Sequence, residues 1–210
     1  MRFRPNVLFL LTRRVHIAVS LLMLIGILVA VSVSSEYGFE GRGGAVTPVV
    51  LLVPIAMGCA IGVSSGSVAP DIERLAGERL RVAERALVAI LTIVAATIAS
   101  AAILVGLGSL SSAAFFLATV LARVSVFFGG AALIGRFIFG HNYSWVVPVL
   151  FVPFITYFWV SSDGVHTSWN PANLTTVGPA SWILTITIFS VGFLLTGSSV
   201  TTVWNRAVRR

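Results

Sequence analysis

Apolar residues gather into six long runs, at about 16–33, 46–66, 87–107, 113–135, 144–160 and 180–199, and the breaks between them are short and polar. A bilayer core about 30 Å thick is crossed by a helix of roughly 20 mostly apolar residues. The pattern predicts an all-α polytopic membrane protein with six transmembrane helices, the whole of 1–210 forming one membrane domain. Ahead of the first run, Arg2, Arg4, Arg13 and Arg14 bracket the short apolar stretch NVLFLLT. That stretch is too short to span. It suits a helix lying in the headgroup region, with Phe3, Phe9 and the leucines dipped inward. A basic start, an apolar run and small residues near Ser32–Ser35 also have the order of a signal peptide. The segment is expected instead to be kept as the first span.

Composition supports the same class. Hydrophobic residues make up 57% of the 210, charged residues only 10%, and mean hydropathy is +1.00. An ordinary soluble domain carries roughly 25% charge, so a soluble globule, a disordered chain and a disulfide scaffold are excluded. The basic excess is all arginine, fourteen against seven acids, for a net charge of +7. Nucleic-acid binding does not follow from it, because no basic face is interleaved with aromatics in a soluble segment. In a membrane chain, Arg and Lys instead collect on the cytoplasmic side. With the N-terminus cytoplasmic, twelve of the fourteen arginines fall inside: the first four, then Arg74, Arg79, Arg81, Arg85, Arg136, Arg206, Arg209 and Arg210. Arg42 falls outside with Glu36, Glu40 and Asp163, and Arg123 lies within the fourth run. Both termini are therefore expected in the cytoplasm of a multi-pass cell-membrane protein. Trp145 and Trp204 then mark the inner interface, with Tyr157, Trp159 and Trp182 near the outer one.

No catalytic constellation emerges. His16, His141 and His166 are scattered among the inner face, the inner loop and the outer loop, and the sequence has no HExxH. The single Cys59 sits in an apolar run and reads as a small buried hydrophobe. NPA at 170–172 resembles a water-channel signature but occurs once, outside a span. With no Walker sequence, the chain is expected to be no enzyme and to hold no cofactor or metal of its own.

Three features stand out as candidate sites. Gly58, Gly62 and Gly66 stack along one helix face at four-residue spacing, which lets another helix approach closely. The close approach serves either packing within the chain or, in the sharper reading, a subunit interface or a translocation seam. Arg123 lies near the middle of the fourth span, where such a charge costs roughly 2.5–3.5 kcal/mol to insert. It calls for carbonyls and hydroxyls of the bundle, a wet cavity, or an anionic lipid or cargo. Gly129 and Gly130 follow it and favour close packing. The third feature is the loop SVAPDIERLAGERLRVAERAL after the second span. Pro70 suits a first helical turn, Asp71 and Glu73 complement the helix dipole, and Arg74–Glu78 is an (i, i+4) pair. Ile72, Leu75 and Ala76 give a short apolar face, and Gly77 separates this helix from the start of span three. A solvated loop is the plain alternative, but a short amphipathic helix fixed at both ends to spans suits a force-transmitting contact.

With these residues in place, the chain resembles the membrane subunits of ABC transporters, especially type-2 exporter permeases of actinobacteria. The resemblance covers the six-span layout, the Arg-rich segment before span one, the helix PDIERLAGERLR, and the run LARVSVFFGGAALIGRFIFGHNYSWVVPVLF. It implies a coupling helix at residues 70–81 that docks on a separately encoded ATPase through Pro70, Asp71, Ile72, Glu73, Arg74, Leu75, Glu78, Arg79 and Arg81. It implies an interfacial elbow helix at 1–14 and short outer helices at 161–179. Spans one, two and five would line the pathway. A second permease copy or a paralogue would complete the transporter, with ATP and Mg bound only by the partner ATPases. Two rival readings are the substrate-binding membrane subunit of a vitamin-type importer and a non-transporting membrane scaffold or assembly protein.

Overall fold

The computed structural model describes residues 15–34, 48–64, 77–108, 110–153, 171 and 178–196. Among these residues every regular element is helical: α1 (Val15–Ser34), α2 (Pro48–Ser64), α3 (Gly77–Leu107), α4 (Ser112–Phe139), a 3-10 turn (His141–Tyr143), α5 (Val146–Pro153) and α6 (Pro179–Leu195). The stretch 1–14, residues 65–76 and most of 161–179 lie outside the described residues.

Two helical stretches, Val82–Leu107 within α3 and the whole of α4, are long and apolar enough to cross a membrane. Shorter apolar stretches occupy Val15–Val31, Leu52–Ser64 and Pro179–Leu195. At 1.5 Å per residue, the 31 residues of α3 reach about 46 Å, well beyond the roughly 30 Å hydrocarbon layer. The charged stretch GERLRVAER is thus no separate loop but the first turns of α3. Its residues Glu84 and Arg85, which the charge pattern places in a solvated loop, belong to the helix.

Helix α4 is the hub. It packs against α2, α3, α5 and α6, while α1 packs on α3 and α2 at the periphery. One apolar cluster joins Leu22 and Ile25 of α1, Met57 and Ile61 of α2, Leu91 and Ile103 of α3, and Leu121 of α4. A second gathers Ile55, Val120, Val124, Phe127 and Phe128. Phe127 meets Phe128 and Phe151 edge-on, with centroids 5.4 and 5.2 Å apart, the arrangement that the ring quadrupole favours.

The turn from α3 to α4 is short because its residues supply both caps. Gly108 takes φ +58° and its N–H reaches the Val105 carbonyl at 3.1 Å. Ser111 caps α4, its Oγ accepting from Ala114 N–H at 3.2 Å. At the far end Gly140, at φ +86°, closes the helix with its N–H on the Arg136 carbonyl, 2.9 Å away. Inside the helices, hydroxyls bond back to their own backbone: Thr92 to Val88, Ser125 to Leu121 and Thr185 to Ser181. Polar side chains are thereby satisfied without water.

The outward faces are apolar. Ile27, Leu28, Ile93, Val105, Ile183 and Leu194 are each more than half exposed. A helix hydrophobic all round belongs in a large core or a bilayer.

Candidate functional site

Arg123 is fully buried on α4. Its Nε donates to the Pro171 carbonyl at 2.8 Å and its Nη1 to Ser181 Oγ at 2.7 Å. Ser181 lies in the first turn of α6 and itself donates to the Gly178 carbonyl at 2.9 Å. The side chain therefore ties the hub helix to α6 and to the stretch connecting α5 with α6. Both acceptors are neutral, and the nearby α6 terminus is the positive end of its dipole, so the charge gains nothing from that helix. Bonding directly to oxygens of the protein offsets its desolvation. Sequence reasoning singled out Arg123 but not its acceptors: Pro171 was noted only within NPA, and the one signal at Ser181 was a hydroxyl near the start of an apolar run.

The glycines build two seams on α4. A Cβ on Gly58 would lie 2.6 Å from the backbone carbonyl of Phe128, and one on Gly62 would lie 2.8 Å from Ser144 Oγ and 3.0 Å from Ala132. The described part of the GxxxG face thus lies against α4 and the turn that follows it, within the chain. Gly66 falls outside the described residues. Gly130 opens the other seam: its Cβ would lie 2.5 Å from Phe189 Cα of α6, and a Cβ on Gly192 would lie 2.5 Å from the Gly130 carbonyl. Gly129 differs, with 3.5 Å to Ile61 Cδ1 and more to Thr92. Gly135, against the Ser144 carbonyl, and Gly192 are contacts that isolated glycines in apolar runs did not signal.

Between the first turns of α1, the last turns of α2 and the start of α5 lies an open groove of about 450 Å³, lined by Ile17, Leu21, Ala56, Cys59, Val63 and Trp145 among others. The ring of Trp145 stands at the junction with α5.

A polar cluster sits where α3 begins its apolar course. Glu84, 4% exposed, pairs with Arg136 in the last turn of α4. Arg85 Nη2 makes a long 3.4 Å bond to the Leu194 carbonyl at the C-terminal end of α6. Cations favour that end of a helix dipole.

Of the expected docking residues, Pro70, Asp71, Ile72, Glu73, Arg74 and Leu75 lie outside the described residues. Glu78, Arg79 and Arg81 fall in the opening turns of α3. Among the described residues, no group of three His, Cys, Asp or Glu side chains could hold a metal ion. No family model matches the chain, and neither a curated protein nor a solved structure is significantly similar to it.

Proposed function

We propose that the chain is the membrane-spanning permease subunit of an ATP-driven transporter of the ABC type. It would cross the cell membrane six times with both termini cytoplasmic, work as an exporter, and pair with a second copy or a paralogue and with separately encoded ATPases. The observation that carries the reading is the continuity of α3. Its charged opening turns run without a break into the apolar stretch Val82–Leu107, which packs on the hub helix. A push on the segment before α3 would travel along one rigid rod rather than dissipate in a loop. The outward apolar faces support a lipid surround. The groove between α1, α2 and the start of α5 supports a path, because those are the helices that the resemblance assigns to the pathway.

ATP-driven closure of the ATPases would move residues 70–81, tilt α2 and α3, and open the interface between permease halves. The cargo class under this reading is peptide, lipid or drug-like, and Arg123 a candidate contact for an anionic one. The test is to purify the tagged full chain in mild detergent and identify stable partners by mass spectrometry. The expected result is an ATPase held directly and lost when Asp71, Glu73 and Arg74 are replaced. A scaffold membrane subunit bridging to the ATPases would move the assignment to a vitamin-type importer. A complete absence of ATPase would leave a membrane scaffold in its place.

A further inference from the structure

We infer that Glu84 is a positioning residue. Paired with Arg136, and with Arg85 on the end of α6, it fixes the polar end of α3 to α4 and α6, so that displacement of α3 carries those two helices with it.

Three observations on separate elements converge here. Glu84 is nearly inaccessible although it lies only seven residues from the start of α3, and its partner belongs to the last turn of the hub helix. Its neighbour Arg85 reaches a third helix, α6, at the Leu194 carbonyl. One short stretch of α3 thus holds two other helices at one end of the bundle. The pairing is also poorly suited to a purely stabilising role. A buried ion pair loses in desolvation much of what it gains in attraction, and well-packed apolar residues often hold the same place as firmly. An ion pair supplies something an apolar contact lacks, namely a fixed partner at a fixed separation. Its loss lets helices slide over each other with little change in buried area.

The cluster is also under-bonded. Arg136 Nη1 and Arg85 Nε are buried without an acceptor, and each such donor forfeits the bond it would make to water. The last carbonyls of a helix lack partners within it, and two helices end beside these arginines. Through α4 a displacement of α3 reaches Arg123 and the Gly130 seam.

What the tie transmits rests on the permease reading; that it couples the helices does not. The test accordingly needs no ATPase. The chain has one cysteine, so Cys59→Ser gives a background for spin labels at Val82→Cys and Leu194→Cys, both well-exposed positions on α3 and α6. Pulsed-EPR distances are recorded on the full chain in lipid nanodiscs. In Glu84→Leu with Arg136→Met, the expected result is an unchanged melting temperature together with a second, shifted distance population. The charge exchange Glu84→Arg with Arg136→Glu should return the single population of the parent. An unaltered distribution in the Leu/Met protein overturns the inference. So does a joint loss of melting temperature and register, which would mark an ordinary structural fastening. A folded charge exchange that keeps two populations overturns it as well. Where the exchange does not fold, the Leu/Met protein decides alone. Partner identification proceeds independently, so the tie can fail while an ATPase is found, and the reverse.

Discussion

Removing Ser181 and removing Arg123 should give losses that do not add. Burying a guanidinium at apolar depth costs roughly 2.5–3.5 kcal/mol. Hydrogen bonds to a charged group return about 1.5–3 kcal/mol each, so the bonds to Pro171 and Ser181 together return about 3–6 kcal/mol. Those two bonds therefore roughly offset the burial cost, with at most about 3.5 kcal/mol to spare. Ser181→Ala removes one of these bonds while leaving the cation buried, and also removes the Ser181 bond to the Gly178 carbonyl. Its expected cost is about 2–4.5 kcal/mol. In an Arg123→Met background the same change loses only the bond to Gly178, about 0.5–1.5 kcal/mol. The cycle predicts a coupling of about 1.5–3 kcal/mol between the two positions. The four proteins can be unfolded in mixed micelles by titrating in a denaturing detergent, with tryptophan fluorescence as the signal. A coupling below about 0.5 kcal/mol would be indistinguishable from additivity, and the 2.7 Å bond would then not be what holds the guanidinium.

Four further expectations follow from local geometry. Gly129→Ala should be neutral or stabilising by up to about 1 kcal/mol, since alanine is the better helix former and its methyl meets ordinary contact distances. The adjacent Gly130→Ala should cost about 1–3 kcal/mol by overpacking, because the methyl would press on the α6 backbone; equal melting temperatures for the two variants would refute the Gly130 seam. Ser144 Oγ is buried without a partner, so Ser144→Ala should raise stability by about 1 kcal/mol, read as a higher melting temperature. Gly140 pairs φ +86° with ψ 171° and has open space around it. Gly140→Ala should therefore cost about 1–3 kcal/mol from backbone strain alone, and a change too small to measure in the same melt would contradict that conformation.

The glycine pair shows where sequence reading stops. A GG dipeptide on a helix announces close packing, but its two members point about 100° apart at 3.6 residues per turn. Which of them meets a backbone depends on where α6 lies, and no property of the dipeptide encodes that. Gly58 and Gly62 were legible as a face because their spacing is a property of one helix. That the opposing surface is α4, rather than a second subunit, is a property of the packed chain.

Run length and composition determined the helices themselves. Apolar stretches of this length have few ways to satisfy their backbone other than by helical bonds, so each of the six runs carries a helix, although α3 begins ten residues before its run and α4 ends four residues after its own. Arg123 was equally visible, because a lone charge in such a stretch is costly wherever the helix goes. Glu84 was not. In the sequence it sits among arginines and reads as solvated, and only the early start of α3 at Gly77 and the end of α4 beside it turn that acid into a buried partner of Arg136. Helix formation depends on neighbours along the chain, whereas burial and pairing depend on residues dozens of positions away. The tertiary structure alone decided which oxygens hold Arg123, which helix each glycine admits, and which charge is taken from water.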